Sequence, residues 1–427
     1  MARPLLTLLL ALLLALLLGG CQLWALDRQV KMAQRSMVLI PGQLQATAAQ
    51  PALVALYAEG NLLAYRSVRP GGFFYFSMAA GDYSLLAFED RNGNLRLDPD
   101  EPRHWQAQAR TAPLQLQPSE EQRSALGQLN VLLPQAADDT PLPELDLGLE
   151  RLYRDLPKVR HNYLRVVDFD DPRFSAQRTA QGAWQPLDFL SEVGYGLYVL
   201  EPWSPDKEPI VLLHGINDSP RVWRELAAGI DRTRYQLLLF HYPSGMPLNN
   251  SAYLLSEALR DLQLRYAPTR LHLFAHSMGG LLARRATQLL HPGNADEQLC
   301  LLVTLATPWG GHPSAATGAA RVPLDVPVWR DMAPGSAFLQ QLFATPLPAH
   351  VRQWQLVAYA GNSRMIAEPN DGSVPLASQL LPAAQDEAER LYLVEENHTG
   401  IMRSARSQAL LRRALASLPE EGCASGQ

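Results

Sequence analysis

The chain has 427 residues, more than one compact domain ordinarily takes and enough for two. Apolar residues make up 47% of it, so a large core is within reach. Lys and Arg (37) nearly balance Asp and Glu (42), the formal charge is −5, and no basic block stands out, which argues against a nucleic-acid partner.

Residues 1–20 read as an export signal outside the fold. Arg3 supplies the positive start, Leu5 to Leu18 is almost unbroken Leu and Ala, and Leu18-Gly19-Gly20-Cys21 closes the run. Small residues directly before a Cys resemble a bacterial lipobox. That resemblance implies cleavage before Cys21, lipidation of its thiol, and a place in the bacterial cell envelope held to the membrane through Cys21. Gln22 stands where Asp marks inner-membrane retention, which points to the outer membrane. The competing readings are an uncleaved apolar anchor, or a plain signal with an incidental Cys. No other run is long enough to span a bilayer. Residues 21–36 read as a tether or short helix. Of the other cysteines, Cys300 lies in an apolar run and Cys423 in a polar tail. A disulfide between them fits an oxidising compartment; neither has a metal-site spacing.

Residues 37–140 have the texture of short strands and turns. Phe74, Phe76 and Met78 alternate with Tyr75 and Ser77, the period of a half-buried strand, and Pro70-Gly71-Gly72 and Ala80-Gly81-Asp82 punctuate the runs. The expectation is a small antiparallel β-sandwich, similar in texture to transthyretin-like or carboxypeptidase-regulatory-like modules. Within it, Asp90, Asn92, Asn94, Asp98 and Glu101 place oxygen ligands in a spacing that resembles an EF-hand-type calcium loop. Leu95 stands where such a loop needs Gly, and the flanks read as strand, so a polar hairpin turn competes with calcium. The stretch from Ala107 to Pro143 is rich in Gln, Pro and Asp and reads as the sandwich end and a linker.

From 147 to 418 the pattern changes, and 419–427 is a polar tail. Ile210–His214, Gln236–Tyr242, Leu271–Ala275, Cys300–Leu305, Trp354–Tyr359 and Leu391–Val394 read as buried strands. Arg221–Ile230, Ala252–Tyr266 and Met278–Leu290 read as helices between them. Such alternation predicts a parallel sheet with helices on both faces.

In this region Leu271 to Ala275 runs straight into His276-Ser277-Met278-Gly279-Gly280 and then a helix. Strand, serine between small residues, then helix is the setting of a nucleophile elbow. A turn this tight needs small residues two before and two after the Ser; here they are Ala275 and Gly279. It also lifts the hydroxyl to a helix N-terminus, where developing negative charge is favoured. On these residues the chain resembles the α/β-hydrolase superfamily, in particular its lipases and esterases, with Ala275 in place of the usual first Gly. The resemblance implies an α/β-hydrolase fold behind the sandwich domain, and Ser277 as nucleophile. Ile210 to Leu213 ends in His214-Gly215, and the loop after such a strand supplies one oxyanion N–H, by position that of Ile216. Met278, after the nucleophile, supplies the other. His214 reads as a structural buttress, and Trp223 as a side chain lining or covering the acyl pocket.

A Ser needs a base, and the base an orienter. His398 follows the last strand in Glu396-Asn397-His398-Thr399-Gly400, where this fold brings its His to the top of the sheet. Asp371, in Asn370-Asp371-Gly372-Ser373-Val374-Pro375, resembles the acid loop of many lipases; Glu368 is its local rival. The order Ser, acid, His is the one the fold implies. The expected reaction is hydrolysis of acyl or lipid esters through an acyl-enzyme, with no cofactor required. An acyltransferase or peptidase with the same triad, or a non-catalytic envelope binding protein, remains open. Thr307-Pro308-Trp309-Gly310-Gly311 resembles the same position in lipases of long acyl chains. The apolar stripe in 313–352, with Val322, Val326, Val328, Trp329, Met332, Phe338, Leu339, Leu342 and Phe343, reads either as a lid or as ordinary packing.

Overall fold

The computed structural model describes residues 22–29, 31–32, 37–45, 52–68, 71–113 except 93 and 95, 131–132, 142–145, 147, and 161–423 except 267, 291–297, 322–325, 364–365 and 420–421. The export signal, Cys21, Leu95 and Val322 lie outside the described residues. Among the described residues, no helix is long and apolar enough to cross a membrane. The chain forms two compact units: residues 31–161 with 257–267, and the remainder.

The first unit is built on two sheets. One orders β4 (Phe73–Ala79), β1 (Met37–Leu44) and β7 (Ala112–Pro113), with β8 (Val131–Leu132) paired to β1. The other orders β3 (Asn61–Val68), β2 (Ala52–Ala58), β5 (Ser84–Phe88) and β6 (Arg103–Gln106). Phe74 and Phe76 are buried in one cluster with Ile40, Leu44, Val54, Leu56, Leu85 and Ala87. The alternation in β4 thus reports its buried face. β2 does not alternate, because its second face is covered too: Leu53, Ala55 and Tyr57 cluster with Leu86 and Phe88 against Leu142, Leu145 and Leu147.

The described residues of the loop at 90–101 hydrogen-bond to one another. The Asn92 and Asn94 amides donate to Asp98 at 2.7 and 2.8 Å, and the Asn94 N–H donates to Asp90 at 3.0 Å. Buried Glu101 accepts the Arg91 and Asp98 N–H groups at 2.7 and 3.0 Å. Among the described residues, no three His, Cys, Asp or Glu side chains converge as a metal-holding group. Calcium at this loop rests on the sequence pattern alone.

The second unit holds an eight-stranded sheet of order β16-β15-β14-β13-β11-β12-β10-β9. β11 (Glu208–Leu213), β12 (Tyr235–His241), β13 (Leu271–His276), β14 (Leu299–Leu305), β15 (Arg352–Ala358) and β16 (Arg390–Val394) run parallel. β10 (Tyr195–Val199) is antiparallel to β12, and β9 (His161–Val166) lies at the edge. β12, β13 and β14 are buried at every position, the signature of a sheet covered on both faces. This is the α/β-hydrolase fold the sequence led us to expect, with an all-β region before it.

Two expectations change in detail. Arg221–Ile230 is not one helix but a 3-10 turn, Pro220–Trp223, and a single α turn, α4 (Arg224–Ala227). Trp223 does not line a pocket: it is fully buried in the core and donates its Nε1–H to the Leu213 carbonyl at 3.0 Å. Cys300 of β14 and Cys423 of the tail form a disulfide.

Candidate active site

β13 ends at His276, and helix α6 (Met278–Leu290) begins two residues later, so the whole reversal falls on Ser277. Its φ is +54°, a conformation a residue with a Cβ adopts at a cost. The Ser277 N–H donates to the Leu305 carbonyl at 2.8 Å, and its carbonyl accepts the Gly280 N–H at 2.9 Å. Small neighbours are needed because the next strand presses on the turn. A Cβ on Gly279 would stand 2.6 Å from the His214 carbonyl oxygen, and one on Gly215 would stand 2.9 Å from the Ser277 Cβ.

His398 lies in the loop after β16, and Asp371 in the loop after β15. The structure brings both to Ser277: His398 Nε2 is 3.0 Å from the Ser277 hydroxyl, and His398 Nδ1 is 2.7 Å from Asp371 Oδ2. Asp371 is fully buried with every oxygen engaged. Oδ1 accepts the Ser373 and Val374 N–H groups at 2.9 and 2.6 Å; Oδ2 also accepts the Gln379 amide at 3.0 Å. The Asp371 carbonyl accepts the His398 N–H at 2.8 Å, which ties the two loops together. Glu368, the rival acid, is exposed.

His276 has a role that adjacency in sequence hid. Its ring lies beside the His398 ring, centroids 4.9 Å apart, and donates Nε2–H to the His398 carbonyl at 3.0 Å. Burial, and then the facing His398, push its pKa down to about 3, so it stays a neutral donor. Gln379 and His276 together hold Asp371 and His398 in place.

The loop after β11 rests on the elbow. As the first residue of α6, Met278 has an N–H with no intrahelical acceptor. Ile216 belongs to the peptide that begins at Gly215, which lies against Ser277. His214 donates Nδ1–H to the Gly215 carbonyl at 2.9 Å and so holds that peptide in orientation. Its Nε2 faces His241 Nδ1 at 3.3 Å, and His241 Nε2 donates to the Arg173 carbonyl at 3.1 Å. Burial pushes His214 down to about 4 and His241 well below its ordinary value. His214 is the buttress the sequence suggested.

The insertion carries α7 (Pro313–Arg321), α8 (Pro327–Met332) and α9 (Ala337–Ala344). Val326, Val328, Met332, Phe338, Leu339 and Leu342 are buried, so the apolar stripe is packed inward. Hydrogen bonds moor it to α5 (Leu248–Tyr266) and α6. Asp331 accepts the Leu248 N–H at 2.8 Å, at the start of α5. Arg284 and Gln288 of α6 donate to the carbonyls of Leu342 and Thr345, which end α9.

Asp218, two residues beyond Ile216, is raised by burial to about 6. Between about pH 4 and pH 6 the folded protein therefore keeps a proton the unfolded chain has lost. The native state binds more protons, so stability falls as pH rises through that window. Asp218→Asn removes the effect. Its melting temperature is expected to exceed that of the parent protein at pH 7, and the gap to shrink towards pH 4; thermal scans at both pH values check this, and a pH-independent gap contradicts it.

Residues 208–389 match a protein family described as alpha/beta hydrolase fold; the two sheets of residues 37–132 lie outside that match. Among solved structures, the chain is similar to a Bacillus licheniformis lipase in mature form, at 19% identity and a TM-score of 0.42, over 51% of this chain and 97% of that one. It is similar to a Listeria innocua gene product at 16% identity and a TM-score of 0.36, over 51% and 97%. It is also similar to a metagenomic carboxyl esterase at 18% identity and a TM-score of 0.39, over 50% and 77%. No curated protein matches the sequence.

Proposed function

We propose that this chain is a serine hydrolase that cleaves carboxylic esters of acyl or lipid type through an acyl-enzyme, and that it is lipid-anchored through Cys21 in the bacterial cell envelope, at the outer membrane. The observation that carries the catalytic part is the unbroken chain of hydrogen bonds from Asp371 through His398 to the hydroxyl of a serine held on a strained turn.

The chemistry follows from that chain. His398 Nε2 takes the Ser277 proton as the oxygen attacks the ester carbonyl, and Asp371 stabilises the imidazolium that forms. The Ile216 and Met278 N–H groups receive the oxyanion, each worth about 3 kcal/mol in the transition state. His398 returns the proton to the departing alkoxide, and the alcohol leaves. Water, deprotonated by His398, then attacks the acyl-enzyme, and as the second tetrahedral intermediate collapses His398 gives that proton to the departing Ser277 oxygen, which releases the acid and restores the serine. The sequence needs no cofactor.

The fold does not by itself choose ester over amide, or water over another acceptor. A p-nitrophenyl ester series from acetate to palmitate, beside the matching p-nitroanilides and given to the soluble form beginning at Gln22, does so. We expect turnover that vanishes with Ser277→Ala, and a chain-length optimum that separates esterase from lipase. Acyl-enzyme that forms but transfers its acyl group only to an added alcohol or amine would favour the transferase. No reaction with any ester, and no modification of Ser277, would leave an envelope binding protein.

A further inference from the structure

Residues 22–29 form a helix, α1, that packs on the hydrolase unit. Leu26 is 1% exposed. Gln29 is 4% exposed, and its side-chain carbonyl accepts the Leu187 N–H at 3.1 Å. That N–H belongs to the first turn of α3 (Pro186–Glu192), whose own N-cap residue offers it no side-chain bond. The tether thus supplies a cap that α3 lacks. Gln22 and Ala25 share a recess with Ala180, Gln181 and Trp184 of α2 (Ala176–Trp184).

The place of α2 and α3 in the fold gives this docking a consequence. They lead into β10, whose Gly196 pairs with His241, the last residue of β12. β12 runs parallel to β11, and β11 to β13, so this is the end of the sheet at which Ser277 follows β13. Contacts continue inward from there. The Gly245 N–H donates to the Gly182 carbonyl of α2 at 3.0 Å, and the adjacent Ser244 hydroxyl accepts the Asn217 N–H at 3.1 Å in the loop after β11. Sideways, Trp184 meets Trp329 of α8 edge-on at 6.1 Å. The docked helix therefore stands at the rim of the site, beside the insertion.

In the sequence, Cys21 directly precedes this helix, and the apolar run Leu5 to Leu18 precedes Cys21. Held by a lipid on Cys21 or by that run, the membrane reaches the chain at residue 22 with no linker between. Trp24, 61% exposed with Arg28 over its ring at 5.2 Å, is a pairing suited to the headgroup level of a bilayer.

We propose that α1 is a docked stalk that holds the rim of the active site against the bilayer in which residue 21 is anchored, so that the site takes its acyl esters from that bilayer. The inference rests on the esterase reading above and names the source of its substrate. A free linker would let the unit sample every orientation; a docked one fixes a single orientation and raises the effective concentration of membrane ester at the site.

The test uses the full-length anchored protein in vesicles of phosphatidylethanolamine and phosphatidylglycerol. One substrate is a fluorogenic phospholipid in the same vesicles, the other soluble p-nitrophenyl acetate. A Gly-Ser insertion of about ten residues between Cys21 and Gln22 loosens the leash without touching a packed residue, and Leu26→Asp undocks the helix. Both variants are expected to keep the soluble rate within about twofold and to lose about tenfold or more on the vesicle substrate. An unchanged vesicle rate in the insertion variant overturns the proposal, whatever Leu26→Asp does to folding. Failure of the parent protein on the soluble ester as well would instead overturn the esterase reading.

Discussion

Asp371→Asn is expected to lower kcat on a short p-nitrophenyl ester by about 10⁴-fold while KM stays within about threefold. The reason lies in which oxygen does what. Oδ1 accepts two backbone N–H groups, so the carbonyl of the introduced carboxamide must keep that place. Its NH₂ then takes the place of Oδ2 and points at His398 Nδ1 and at the Gln379 amide. A donor facing Nδ1 forces the imidazole proton onto Nε2, where it meets the Ser277 hydroxyl with a hydrogen and no lone pair. The geometry survives and the base is lost. Steady-state kinetics beside a circular dichroism spectrum check this; a raised KM with kcat preserved would mean that Asp371 is a loop staple and not the orienter.

The largest effect on stability is expected at Arg284, which is fully buried in α6. It pairs with Glu387 at 2.6 Å, lies 4.4 Å from the Phe343 ring, and donates to the carbonyls that end α9. Arg284→Ala leaves the Glu387 carboxylate without that partner, and the two carbonyls with the Gln288 amide alone. Loss of one member of a buried pair costs about 3–5 kcal/mol, and Glu387, with 19% of its side chain exposed, places this case near the lower end. Replacing both residues, Arg284→Met with Glu387→Met, should recover most of the loss, because the penalty comes from the orphaned charge. Denaturant unfolding of the single and double variants reads the difference. A single variant as stable as the parent protein would show that the insertion is not moored there.

How much of this was legible beforehand follows from how local each constraint is. The elbow was readable because its strain acts within five residues: Gly279 is small since the end of the neighbouring strand presses on the turn, and that demand is written in the sequence. Asp371 and His398 were readable from chain order, because parallel strands deliver their following loops to one end of the sheet. Support from a distance left no local mark. His276 reaches a carbonyl 122 positions away, and nothing beside Gln379 announces a bond to Asp371. Trp223 misled for the same reason: an indole opening a helix looks alike whether it faces a pocket or a core. The stripe at 313–352 is apolar on either reading, since periodicity reports a buried face and not what covers it. β10 escaped notice because Tyr195–Val199 is short and broken by Gly196.

Covalent labelling by a fluorophosphonate probe reads directly whether Ser277 is an activated nucleophile. Labelled protein is digested and the adduct mapped by mass spectrometry. A single adduct is expected on Ser277, none in Ser277→Ala, and slower formation in Asp371→Asn. Absence of an adduct on Ser277 in the folded parent protein would contradict that activation.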